Sequence, residues 1–220
     1  MIIFLFLCIR FVPIEILNVD IPFLSSLLDN NTFSSLFVLL CFLFIINGAN
    51  LIDGFNGLLT INLIIINSIL AYINLADGIN EFSVVIIGQI IILFSFLLFN
   101  FPSAKLFLGD SGSYLLGSTV ALNVIITNNL NPDYSSFFFC ILLFYLFFEV
   151  FFSFFRKIIQ KKSPIHPDNN HLHMLIFKKV SFTFGQDKGN YINSLIINLG
   201  YLSFILPALV FAKDPVVSRY

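Results

Sequence analysis

Three short polar islands interrupt an otherwise apolar chain, and they hold the residues best suited to chemistry. The first reads Asn47-Gly48-Ala49-Asn50-Leu51-Ile52-Asp53-Gly54-Phe55-Asn56-Gly57-Leu58. An ionised Asp costs about 3 kcal/mol at the midplane of a bilayer and less toward its interface, so a carboxylate placed there usually has a use. A glycine turn closed by an Asx cap accounts for the same residues, since Asp-Gly and Asn-Gly are common turn pairs. The second island runs from Asn100 through Phe101-Pro102-Ser103-Ala104-Lys105 to Gly109-Asp110-Ser111-Gly112-Ser113, directly before the next apolar run. An Asp and two hydroxyls at a helix N-terminus suit a metal-bound phosphate, because free backbone N–H groups and the helix dipole face the anion. N-capping by Ser111 or Asp110 explains them too, and the two readings are compatible. The third island, Ser163 to His173, contains every histidine of the chain: His166, His171 and His173. A transition-metal site is one reading, but no thiolate accompanies them and the spacing matches no zinc pattern. Hydrogen bonding to a phosphate or pyrophosphate, from a basic loop that faces Asp53 and Asp110, is the reading preferred.

Those islands must be positioned by elements that live in lipid. Hydrophobic residues make up 58% of the chain and charged ones 10%, whereas a soluble domain carries about a quarter charged residues. The serine-protease segment that Gly-Asp-Ser-Gly also matches requires a soluble two-barrel fold, which this composition excludes. Runs of roughly 20 apolar residues, enough to cross about 30 Å of hydrocarbon, predict an all-α polytopic membrane protein of about six to seven spans in a single membrane domain, 1–220. The spans are expected near Met1 to Leu17, Phe33 to Ile46, Leu58 to Leu75, Phe82 to Phe99, Tyr114 to Ile126, Tyr134 to Phe155 and Tyr191 to Phe211. Met1 to Ile9 lacks the basic start and small-residue cleavage site of a signal peptide and reads as membrane helix. Cys8, Cys41 and Cys140 fall in apolar runs and read as core residues. The abundant Phe, Ile and Asn read as compositional bias.

One loop orients the rest. Arg156 to Gly189 holds Arg156, Lys157, Lys161, Lys162, Lys178, Lys179 and Lys188, while the turns at Ala76 to Glu81 and Asn128 to Asp133 hold acids and no base. The positive-inside rule places the basic loop in the cytoplasm, and alternation brings Asn47 to Gly57 and Asn100 to Gly112 to the same face. A net charge of −1, with the bases gathered in one loop, gives no nucleic-acid surface.

In order, the islands read Asn-x-x-Asn-x-x-Asp-Gly-x-Asn-Gly-Leu, Pro-x-x-Lys-x-Phe-x-Gly-Asp-Ser-Gly-Ser and His-Pro-Asp-x-x-His-Leu-His. This pattern, from about Phe33 to Phe211, resembles the polyprenyl-phosphate N-acetylhexosamine-1-phosphate transferases, the glycosyltransferase 4 group. The resemblance implies transfer of a HexNAc-1-phosphate from a UDP-sugar to polyprenyl phosphate for cell-envelope polymer synthesis, with UMP released. It implies Mg²⁺, replaceable by Mn²⁺, and a cell (inner or plasma) membrane enzyme with a cytoplasmic active face. Carried over by position, Asp110 and Asp53 are the metal ligands and, with His171 and His173, the catalytic set. Asn47, Asn50, Asn56, Asn100, Lys105, His166 and Asp168 are the substrate-binding set. Asn56 stands where many relatives have Asp, and Glu149 matches an acidic position of unassigned role, read simply as an intramembrane polar contact.

The pattern departs from the family in one respect. Relatives carry an adjacent Asp-Asp pair in a loop ahead of the matched region, and this sequence has no such pair. Asp20 and Asp29 are expected on the opposite face. The expectation is a chain short at both ends, weakly active or inactive alone, working as a homodimer or with a separate N-terminal piece. The competing readings are an inactive or split-gene fragment and a small polytopic transporter that uses intramembrane acids for ion transit. Against the transporter, the acids sit at span ends and no internal repeat is seen.

Overall fold

Apolar runs bounded by Asn, Gly and Pro give helices throughout the computed structural model, which describes residues 14–161 and 170–219. In chain order they are α1 (Pro22–Leu28), α2 (Asn31–Ile52), α3 (Leu58–Ala76), α4 (Asn80–Asn100), α5 (Gly109–Leu130), α6 (Ser136–Leu142), α7 (Phe144–Ile159), α8 (Leu172–Phe184) and α9 (Gln186–Val210). A 3-10 turn at Val217–Arg219 follows. Helix α2 starts where Asn30 accepts from the N–H groups of Thr32 and Phe33, at 3.0 and 3.1 Å. It runs past the expected end at Ile46 to Ile52, so Asn47 and Asn50 are helical and the first island's turn begins only at Asp53.

Among the described residues, α2, α3, α4 and α9 are long and apolar enough to cross a bilayer, and α6 with α7, bent by 71° between them, reaches that length and hydropathy only as a pair: one broken span or a re-entrant loop. The protein is therefore an all-helical, multi-pass membrane protein. Four or five spans stand against the six to seven expected. Met1 to Leu17 lies largely outside the described residues. Helix α5 is long enough at 22 residues but too polar, because it packs against α2 and α3 and turns Asn123, Thr127 and Asn128 inward. The predicted continuous span from Tyr134 to Phe155 is broken because the Tyr201 hydroxyl takes the Leu142 carbonyl, while the Leu146 N–H turns to Leu143 O at 3.0 Å.

The asparagines are not mere bias. Asn123 donates to Asn67 at 2.9 Å and to Gln89, tying α5 to α3 and α4. Asn74 donates to Thr127 and accepts from Asn131, both at 2.9 Å. Where little water competes, such bonds join helices that the hydrophobic effect alone does not hold in register. Far from the islands, Asp20 accepts from the Ser135 hydroxyl at 2.6 Å and the Ser136 N–H at 2.7 Å, and Asn18 and Asn128 exchange amide bonds at 3.0 Å. At ~1.5 Å per residue, the length of α5 keeps this end roughly 30 Å from Asp110.

Two glycines set the closest helix approaches. A Cβ on Gly48 of α2 meets the Leu146 carbonyl oxygen of α7 at 2.5 Å, and one on Gly117 of α5 meets the Ala49 Cβ of α2 at 2.9 Å. Overpacking of this kind typically costs 1–3 kcal/mol. Gly48→Ala is therefore expected to lower the melting temperature of the detergent-solubilised chain, whereas Gly200→Ala, whose Cβ has nothing within 4 Å, leaves it unchanged or raises it. Thermal unfolding followed by tryptophan-free far-UV dichroism reads both.

Candidate active site

Helix ends, not helix middles, bring the islands together. Helix α2 stops at Asp53, whose N–H still bonds to Asn50 O at 3.3 Å, and α3 begins after Gly57, where φ is 78°. That left-handed value is open to glycine at little cost, and a Cβ there also meets the Phe101 ring at 2.8 Å. The turn between is held from outside. Asn100, buried at the end of α4, accepts the Gly57 N–H at 2.7 Å and donates to Leu106 O at 2.8 Å. Asn56 donates its amide to Pro102 O at 2.7 Å, and its own N–H goes to Asn190 of α9 at 2.8 Å.

The second island enters through the first turn of α5. Asn50 donates to Asp110 Oδ1 and to Ser113 Oγ, each at 3.0 Å, and Ser113 donates back to the Asp110 carbonyl at 3.1 Å. Asp110 is exposed while Asp53 is half-buried. Burial foremost, and the Asp110 carboxylate next, push the Asp53 carboxyl up to about 6. Among the described residues neither acid makes an ion pair with a base. Nor does any group of three or more His, Cys, Asp or Glu gather there. Two carboxylates without a protein cation suit an ion that keeps waters and takes its remaining ligands from phosphate, as Mg²⁺ does, better than an ion needing an all-protein cage.

The third island is anchored from within the bundle. Glu149 of α7 is fully buried, with one carboxylate oxygen 3.2 Å from His171 Nδ1 and the other 3.1 Å from His173 Nδ1. Arg156, one side of its guanidinium on the Phe152 ring, donates to the Asn170 carbonyl just before them. Phe55, two residues after Asp53, meets the His173 ring edge-on with centroids 5.7 Å apart and packs on Phe177 at 4.9 Å. The histidine segment thereby joins the first island.

Of the residues expected at the site, Asn50, Asp53, Asn56, Asn100, Asp110, His171 and His173 are brought to one end of the bundle. Asn47 is exposed and bonds back along its own helix to Leu43 O at 2.6 Å, and Lys105 is exposed. His166 and Asp168 lie outside the described residues. Reading the sequence missed Asn190, which carries no motif, and gave Glu149 no role; a lone acid in a phenylalanine-rich helix just before a histidine cluster was the available signal.

Residues 1–128 match the family model described as glycosyl transferase family 4, a stretch that includes Asp53 and Asp110. The chain is 33% identical over 147 residues to an undecaprenyl-phosphate alpha-N-acetylglucosaminyl 1-phosphate transferase of Thermotoga maritima, covering 66% of this chain and 43% of that protein. It is 30% identical over 160 residues to a probable undecaprenyl-phosphate N-acetylglucosaminyl 1-phosphate transferase of Bacillus subtilis, covering 70% and 43%. It is 44% identical over 82 residues to a phospho-N-acetylmuramoyl-pentapeptide-transferase of Leuconostoc mesenteroides, covering 36% and 25%. The chain thus spans less than half the length of each of these relatives.

The raised Asp53 carboxyl gives a pH signature. Because the folded state holds the Asp53 proton more tightly than an unfolded chain with a carboxyl near ~3.9, ionisation opposes folding. That cost is absent at low pH and complete above about 6. With divalent ions chelated, the melting temperature is expected to fall between about pH 4 and about pH 7 by more than in Asp53→Asn, which removes the charge.

Proposed function

We propose that this chain, which belongs to glycosyl transferase family 4, forms the nucleotide- and metal-binding part of a membrane transferase that moves a HexNAc-1-phosphate from a UDP-sugar to polyprenyl phosphate. One observation carries the reading: Asp53, Asp110 and the His171/His173 pair, distant in sequence, share one end of the helical bundle through Asn50, Phe55 and Glu149. The names of the relatives supply the acceptor class. The basic residues from Arg156 to Lys188 support a cytoplasmic face in the cell membrane.

In this reaction an oxygen of the lipid phosphate bonds to the sugar-bearing phosphorus. The bond from that phosphorus to the bridging oxygen breaks, and the bridging oxygen leaves with UMP. The difficulty is electrostatic, since two phosphates must approach and charge builds on the leaving oxygen. Asp53 and Asp110 would hold Mg²⁺, which would supply the positive charge that both demands require. The chain's own residues do the placing. Asn50 fixes the Asp110 carboxylate, Asn100 and Asn56 hold the turn between Asp53 and Gly57, and His171 and His173 lie toward the proposed phosphate and sugar end. Lys105, Asn47, His166 and Asp168 complete the proposed substrate set, with Lys105 near phosphate.

The whole reaction needs more than binding. The 220 residues hold no adjacent Asp-Asp pair, so lipid-linked product from the purified chain alone is expected to be weak, and a separate piece that carries such a pair is expected to raise it. Nucleotide binding is the sharper test. By isothermal titration in detergent, UDP is expected to bind in the presence of Mg²⁺, with affinity at least tenfold lower in Asp110→Asn or in EDTA. No UDP binding under any of these conditions contradicts the reading.

A further inference from the structure

We infer that Asn190 of α9 is a positioning residue that holds the turn carrying Asp53, and that through it the hairpin of α8 and α9 sets where that carboxylate stands. The consequence for metal binding rests on the function proposed above; the positioning does not. Between α2 and α3 run Asp53, Gly54, Phe55, Asn56 and Gly57, and a short stretch with two glycines has much backbone freedom to lose. Hydrogen bonds from other elements remove it. The Asn56 N–H donates to Asn190 Oδ1 at 2.8 Å, and the Gly57 N–H donates to Asn100 Oδ1 at 2.7 Å. Two consecutive residues are thus hung from two different helices, α9 and α4. A backbone N–H only donates, so the Asn190 amide is fixed with its oxygen toward Asn56.

Asn190 itself stands on a fixed base. Gly189, directly before it, lies so close to α8 that a Cβ there would meet the Ser181 Cα at 2.9 Å. Tyr191, directly after it, meets the Phe101 ring edge-on with centroids 5.8 Å apart, and Phe101 is the ring that leaves no room for a Cβ at Gly57. Farther along α9, Asn198 donates to Leu58 O at 3.1 Å. The other arm of the hairpin reaches the turn as well, since Phe55 packs on Phe177 and on His173. Phe55 and Asn56, neighbours in the turn, therefore dock on α8 and α9 respectively. The two acids differ in how they are held. Asn50 donates directly to the Asp110 carboxylate, whereas among the described residues no side chain or N–H donates to the Asp53 carboxylate. Its place is set by the turn, and the turn is set by Asn190.

The test is hydrogen–deuterium exchange of the full-length chain, read residue by residue without added metal, together with Mn²⁺ titration by electron paramagnetic resonance. In the wild type the Asn56 amide is expected to exchange about tenfold or more slower than the exposed Gly54 amide, which has no hydrogen-bond partner among the described residues. Asn190→Ala removes the acceptor and is expected to erase that difference while leaving α3 and α5 as slow as before. Asn190→Asp keeps an oxygen for the Asn56 N–H and is expected to retain it. With UDP present, Asn190→Ala is expected to weaken Mn²⁺ binding about fivefold, the weight of one hydrogen bond of this kind. A wild-type Asn56 amide as fast as that of Gly54, a result that needs no variant to fold, overturns the inference. So does protection of Asn56 that survives Asn190→Ala, or a loss of protection that spreads equally over α3 and α5. If Mn²⁺ binds in an Asp110-dependent way that Asn190→Ala does not change, the inference falls and the proposed function stands. If no Mn²⁺ binds while the exchange pattern holds, the proposed function falls and the positioning stands.

Discussion

At Gly117 the backbone of α5 comes so near α2 that a methyl group there would lie 2.9 Å from the Ala49 Cβ and 3.1 Å from the Ile46 Cα. At Gly48 the other side of α2 meets the α7 backbone as closely. Helices in lipid gain little from hiding apolar surface from one another, so close packing and polar contacts must hold them. This three-helix contact fixes the relative height of α2, α5 and α7. It thereby fixes where Asn50 meets Asp110, and where Glu149 stands when the chain returns with His171 and His173.

From that contact the polar end of the bundle follows by hydrogen bonding. The first two islands are helix ends, where backbone groups lack intrahelical partners and side chains must supply them. Asn100 at the end of α4 serves Gly57 at the start of α3, and Asn190 in α9 serves Asn56. Among the described residues at this end, Asp53 and Asp110 stand in conflict, like charges of which Asp53 is half-buried. Under the proposed function a bound cation would resolve it, and an anionic substrate would need the same cation. At the far end Asp20 Oδ2 accepts from Ser135 and Ser136, so that carboxylate closes a joint between elements.

Much of this was legible in the residues. Apolar runs gave the long helices, because length and hydropathy alone decide what can cross a bilayer. Alternation put the first two islands together, and motif order gave the family. The bend at Leu143 was not legible, since it depends on a hydroxyl from Tyr201, some sixty residues on, capturing a carbonyl. Helix α8 was not anticipated because its apolar face is short and sits in a stretch read as a basic loop. The asparagines looked like bias because a hydrogen bond between helices leaves no local spacing signal; Asn123 has meaning only beside Asn67 and Gln89. Glu149 was visible as an oddity, yet only the fold shows that it is shared equally by two histidines.

The proposed function requires the two acids and the two histidines to belong to one ligand site. The most direct measurement is an anomalous-scattering map from crystals of the full chain grown with Mn²⁺ and UDP. A manganese peak is expected between Asp53 and Asp110, with the diphosphate extending from it toward His171 and His173. A manganese peak elsewhere, or a diphosphate bound away from the histidine pair, contradicts the proposed function.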